Sequence, residues 1–291
     1  MTVIDAHQHV WDLTRASYPW LGPHLAEVNR TFGLEDLRPH LRRAGVDRTV
    51  LVQSADNAED TAHMLEVAAG HPEVAAVVAW VPLDRPDEAA TRLDALRRNP
   101  YVVGVRALIH DMADPDWVLR PEVDAGLGVL EEAGVTFDYV AVLPRHLEHV
   151  PTLSERHPDL RIVIDHLAKP PIGGAEVEPW WSLIAQAAAN PLVHAKVSGL
   201  YPTDDPQSWT VDAVRPFVER AVEVFGARRL MYGGDWPISV MAGGYDRVWD
   251  GLSQVLADLD DTDRARVLGD TAAEFYAIDE QLLIGRPGSP T

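Results

Sequence analysis

The sequence predicts a single closed (β/α)8 barrel, the TIM-barrel architecture, and three observations lead there. Short β-branched runs recur eight times, near residues 3–10, 49–53, 74–81, 102–109, 135–142, 160–167, 192–199 and 230–236. Amphipathic stretches separate them at 34–44, 58–69, 88–98, 123–133, 147–157, 179–189 and 211–225. No shift in composition marks a linker within the 291 residues, a length that α/β barrels commonly reach as one domain. Strand alternating with helix implies a parallel sheet with crossover helices. Eight such units at this length favour a closed barrel over an open doubly wound sheet. The domain is assigned to residues 1–284, and the polar tail at 285–291, with its Pro and Gly, is expected to be flexible.

Composition narrows the function. With no cysteine, the chain has neither a disulfide framework nor a thiolate metal site, so any metal must be held by nitrogen and oxygen donors. A formal net charge of −20 repels phosphate backbones and anionic membranes, which excludes nucleic acid and membrane as partners. A neutral or singly charged small molecule fits that field. No glycine-rich phosphate loop follows a strand, so no nucleotide or other organic cofactor is expected. The start, Met1-Thr2-Val3-Ile4-Asp5, lacks the features of a signal peptide, and no apolar run reaches the length of a membrane span. The expected compartment is therefore the cytoplasm. Oligomeric state is not legible.

Side chains alternate along a strand, so residues two apart share a face. On the seventh strand Val193, Ala195 and Val197 alternate with His194, Lys196 and Ser198. On the fourth, Val103, Val105 and Ala107 alternate with Gly104 and Arg106; on the fifth, Asp138 falls opposite Phe137 and Tyr139. On the second, Val50 and Val52 leave Gln53 on the other face. Buried polar groups cost free energy unless paired, so this recurrence of inward polar residues marks a site. Loops after barrel strands lie on the catalytic face, and the one at 11–33 is the longest. Its Trp11 and Trp20, with Trp236 after the eighth strand, read either as an apolar wall of the pocket or as packing beneath the loop.

The sharpest element is Asp5-Ala6-His7-Gln8-His9, where His7 and His9 share a face of the first strand. His166 ends the sixth strand and Asp235 ends the eighth. Strands one and eight are neighbours in a closed barrel, so Asp235 is expected beside the histidine pair. Three imidazoles and a carboxylate suit one borderline divalent metal, zinc above all.

These features, and the motifs DAHQHVW, IDHLAKP, KVSGL and YGGDWP, resemble the amidohydrolase superfamily, and within it the amidohydrolase-2 branch that contains sugar lactonases. The resemblance runs from about residue 3 to Tyr276 in the right order. It implies hydrolysis of a small sugar lactone to its aldonic acid, with Asp235 as general base and His166 assisting. His7, His9, His166 and Asp235 would hold the ion, and the resemblance leaves open one ion or none. Binuclear members place a bridging lysine or glutamate where this chain has Arg106, which cannot lose its proton to bridge two metals. Arg106, Gln53, Lys196, Asp138 and the three tryptophans are the candidate substrate-binding residues, with internal ion pairing the alternative for Arg106, Lys196 and Asp138. His24, His40, His63, His71, His146, His149 and His157 are expected at the surface. Two rivals stand beside the lactonase: a metal-dependent decarboxylase of the same superfamily, and a noncatalytic sugar-binding barrel.

Overall fold

The structure, a computed structural model, describes residues 2–284; the tail at 285–291, expected to be flexible, lies outside the described residues. Its strands are β1 (Ile4–Gln8), β2 (Arg48–Val52), β3 (Val74–Ala79), β4 (Val102–Ala107), β5 (Thr136–Tyr139), β6 (Ile162–Ile164), β7 (Val193–Val197) and β8 (Leu230–Tyr232). The helices between and after them are α1 (Leu34–Ala44), α2 (Ala58–Gly70), α3 (Pro86–Leu96), α4 (Pro121–Ala133), α5 (Pro144–Arg156), α6 (Trp180–Ala187), α7 (Val211–Phe225) and α8 (Tyr245–Leu256). Local chemistry starts and stops them. Proline opens α3, α4 and α5, where its missing N–H costs nothing. The Asn57 and Thr210 side chains cap α2 and α7, and left-handed Gly45 and Gly134 end α1 and α4.

The strands pair in parallel in chain order, β1 through β8, as a (β/α)8 barrel requires. Closure comes at the C-terminal end, where the Asp235 N–H donates to the His7 carbonyl at 2.8 Å and the His9 N–H donates to the Trp236 carbonyl at 2.7 Å. The barrel seam therefore joins the HxH segment directly to YGGDWP.

Apolar residues fill two layers. Outside the sheet, Val105, Phe137 and Ala195 pack with Leu127, Val150 and Val218 of the surrounding helices. Inside, Val50, Val52, Val78, Val163 and Met231 meet Phe275 and Tyr276 from the C-terminal helical segment. This corrects the second strand: Leu51 packs outward among Leu34, Leu37 and Met64, while Val50 and Val52 face inward.

Three histidines expected at the surface are buried. His146 accepts the Val142 N–H at 3.2 Å at the start of α5, His149 Nε2 lies 3.1 Å from the Pro115 carbonyl, and His157 sits 3.3 Å from both Asp124 and Glu131. His146 and His149 lie in α5 and His157 just after it, each beside a polar partner. Among the described residues, no helix is long and apolar enough to cross a membrane.

Candidate active site

Asp5 organises the seam from beneath. One of its oxygens accepts the N–H groups of Gly234 at 2.9 Å and His7 at 3.1 Å; the other accepts the Tyr245 hydroxyl at 2.8 Å and the Gln8 amide. Burial pushes the Asp5 carboxyl up to about 7 despite these bonds. Gly234 has no room for a side chain: a Cβ there would fall 2.3 Å from the Tyr245 ring and 2.6 Å from Asp5 Oδ2. Gly234 is thus required by the closeness of β1 and the start of α8.

Above Asp5, three imidazoles surround one carboxylate oxygen. Asp235 Oδ1 lies 3.6 Å from His9 Nε2, 3.8 Å from His7 Nε2 and 3.9 Å from His166 Nε2. The other oxygen, Oδ2, accepts the Tyr201 hydroxyl at 2.5 Å. Second partners orient the rings. His9 Nδ1 is 2.8 Å from the Val52 carbonyl, which can only accept, so this nitrogen carries the proton. His7 Nδ1 lies 3.3 Å from Asp165, and His166 Nδ1 is 2.9 Å from the Ser198 hydroxyl. In its neutral form His9 therefore turns a lone pair toward an anion. Such an arrangement calls for a cation or proton between them.

Burial lowers the His166 imidazole to about 4 and His7 well below its ordinary value, so both are neutral at pH 7. For Asp235 burial works upward, but the facing His166, His9 and His7, with Lys169, outweigh it and hold the carboxyl far below the usual range. Ligand atoms of His7, His166 and Asp235 lie within 4.8 Å of one another, a nitrogen–nitrogen–oxygen set that fits one divalent ion. His9 Nε2, 3.6 Å from the same Asp235 oxygen, stands beside this triplet.

Two fixed cations stand beside this group. Arg106 Nη1 stands 3.4 Å from His7 Nε2 and 3.0 Å from Asp165. Lys196 Nζ stands 2.5 Å from Asp138, 3.0 Å from Asp165 and 3.1 Å from His7 Nδ1. Two fixed cations already compensate the carboxylates that a second metal would need.

A cavity of about 210 Å³ opens over this centre, lined by His9, His166, Asp235, Arg106, Lys169 and Trp20. Its lining also includes the aliphatic Leu108, Val140, Val142 and Ile238. Of the candidate substrate-binding residues, Arg106 and Trp20 reach it. Lys196 and Asp138 do not; both are fully buried beneath the site and pair with each other. Gln53 is buried and donates to Asp56 and to the Arg106 carbonyl, while the inward register of β2 brings Ser54 to the cavity instead. Trp11 and Trp236 pack edge-on against Phe32 under the first loop, and Trp11 also backs Trp20 at 5.3 Å. Sequence reasoning missed Lys169, Asp165, Tyr201 and the aliphatic lining residues. Asp165 and Lys169 were within reach, since both belong to IDHLAKP beside His166.

A model of the amidohydrolase family matches residues 4–278. The chain belongs to this family. Among its relatives is an L-fucono-1,5-lactonase of Burkholderia ambifaria, 40% identical over 280 residues, which covers 95% of this chain and 96% of that one. An L-fucono-1,5-lactonase of Burkholderia multivorans is 30% identical over 292 residues, again covering 95% and 96%. A crystal structure of an amidohydrolase from Burkholderia multivorans with bound zinc superposes with a TM-score of 0.87 at 29% identity, over 96% of this chain and all of the other.

Proposed function

We propose that this amidohydrolase opens a six-membered sugar lactone, of the L-fucono-1,5-lactone type, to its aldonic acid. The observation that carries the reading is an ionised, ring-flanked Asp235 lining a cavity of mixed polar and aliphatic side chains. The L-fucono-1,5-lactonase relatives match nearly end to end, which supports the same substrate class.

In this reading Asp235 takes a proton from water as the hydroxyl oxygen bonds to the lactone carbonyl carbon. The carbonyl electron pair moves onto oxygen, where Arg106 and the His166 side of the cavity face it. Collapse breaks the bond from the acyl carbon to the ring oxygen, which recovers the proton from Asp235. Tyr201 holds Oδ2, so Oδ1 remains the oxygen turned toward the reacting water. His7, His166 and Asp235, with His9 beside them, are the residues that would hold a single zinc ion. When bound, such an ion supplies Lewis-acid polarisation of the carbonyl or of water. Trp20 and the aliphatic lining residues offer contact to the apolar face of the ring, while the polar lining residues offer partners to its hydroxyls.

The deciding experiment is a panel of aldonolactones and aromatic acids at neutral pH, with acid release and carbon dioxide followed separately. Acid release from L-fucono-1,5-lactone is expected. Carbon dioxide from an aromatic acid with no lactone opening would put the decarboxylase reading in its place, and inertness toward both would favour a sugar-binding barrel.

A further inference from the structure

We propose that Lys169 is a further substrate-binding residue, the cation that receives the carboxylate formed as the ring opens; this rests on the lactone reading above.

Its placement is unusual. His166, Leu167, Ala168 and Lys169 follow β6 with φ of 55°, 48°, 57° and 49°, four consecutive non-glycine residues in the left-handed region. L-residues adopt that region at a cost, so a run of four persists only where the surroundings impose it. The Trp180 indole donates to the Leu167 carbonyl at 2.7 Å, and the Lys169 N–H donates to the His166 carbonyl at 2.9 Å. The outcome is one tight bend that delivers an imidazole and an ammonium to the same cavity.

Its partners are as informative. The other two cations at the site are matched by carboxylates: Lys196 by Asp138 and Asp165, Arg106 by Asp165. Among the described residues Lys169 makes no ion pair. Its Nζ donates to the Gly199 carbonyl at 3.1 Å and stands 4.8 Å from the centre of the Tyr201 ring. A desolvated charge is costly unless compensated. In a chain with 45 acidic residues, Lys169 feels Asp235 and Asp165 only at longer range and bonds neither, which leaves direct contact with a carboxylate to the ligand.

The reaction supplies that ligand. The lactone is neutral, and negative charge first appears on the carbonyl oxygen when the hydroxyl adds. The charge leaves the acyl group as the carbonyl re-forms and the ring oxygen departs, and it returns there as carboxylate when the acid loses its proton to solvent. A charge-assisted bond from the ammonium is therefore stronger to the carboxylate than to the neutral lactone. Lys169 also lines the adjoining outer cavity with Pro171 and Tyr201, so it stands where the reaction cavity meets an outer one.

The test is calorimetric binding of L-fuconate and of its uncharged counterpart L-fucitol to the full chain and to its Lys169→Met and Lys169→Arg variants. Loss of a hydrogen bond to a charged group predicts fuconate binding about ten- to a hundredfold weaker in Lys169→Met. Fucitol affinity should be unchanged in both variants, and Lys169→Arg should hold fuconate within a few-fold. Equal fuconate affinity in Lys169→Met overturns the inference, and so does a parallel loss of fuconate and fucitol, the mark of a structural role. Lactone opening is measured on the same wild-type protein. Its absence, with the selective loss of fuconate in Lys169→Met, would discard the lactone reading and leave the carboxylate site standing.

Discussion

Lys196 lies fully buried between Asp138 and Asp165, and its worth is in what its removal would leave behind. Burial works to raise Asp165, but Lys196, His7 and Arg106 outweigh it and keep the carboxyl well below its usual range. Lys196→Met strands Asp138 without its ammonium, a type of change that costs about 3–5 kcal/mol. Chemical denaturation should show that loss as a lowered midpoint; an unchanged midpoint would mean the two carboxylates find protons or other partners at no cost. His194, on the same strand but outside the site, shapes the response to acid. Burial lowers its imidazole to about 4, against 6.5 when unfolded. The unfolded chain therefore binds the proton first, and stability present above pH 6.5 falls as the pH drops toward 4, by at most about 3 kcal/mol. His194→Gln should flatten that slope in melts taken between pH 4 and 7. Strand alternation made these inward positions legible in the sequence, but not which inward residues reach the cavity. Depth in the barrel decides that, and it separates Lys196 and Asp138 from Arg106.

The strands and helices were legible because β-branched runs and amphipathic stretches alternate cleanly, and each found its place in the barrel. The segments assigned to strands six and eight ran further, to 167 and 236, than the ladders, which stop at Ile164 and Tyr232. Beyond those points the chain leaves the sheet to present His166, Lys169 and Asp235, so the functional residues sit where strand geometry ends. The second strand was read one residue out of register because Val50, Leu51 and Val52 are all apolar and give no alternation; hence Gln53 was named in place of Ser54. The first loop is held by two anchors: the Tyr18 hydroxyl donates to Asp60 at 2.9 Å and the Trp20 indole donates to the Ser54 carbonyl at 2.7 Å. Trp20 is half-buried and faces the cavity, whereas Trp11 behind it is fully buried. Trp20→Ala should therefore change the ranking among lactones more than the melting temperature. An unchanged ranking with a large stability loss would make Trp20 a packing residue alone.

Across the whole molecule, a barrel with a net charge of −20 concentrates its buried positive charge at one end, around Arg106, Lys169 and Lys196. With His7, His166 and Asp235 as the candidate ligands of one divalent ion, those fixed charges are expected to oppose a second. Elemental analysis of protein purified without added metal should give at most one ion per chain; two would contradict the roles given to Arg106 and Lys196. The central claim is that Asp235 moves the proton in lactone opening, and its most direct test is the turnover of L-fucono-1,5-lactone by wild type and by Asp235→Asn, with folding checked by circular dichroism. Asparagine keeps the size and cannot take the proton, so turnover should fall about 10²–10⁴-fold with the fold intact. Near-normal turnover in the folded variant would contradict the account and show that another group activates the water.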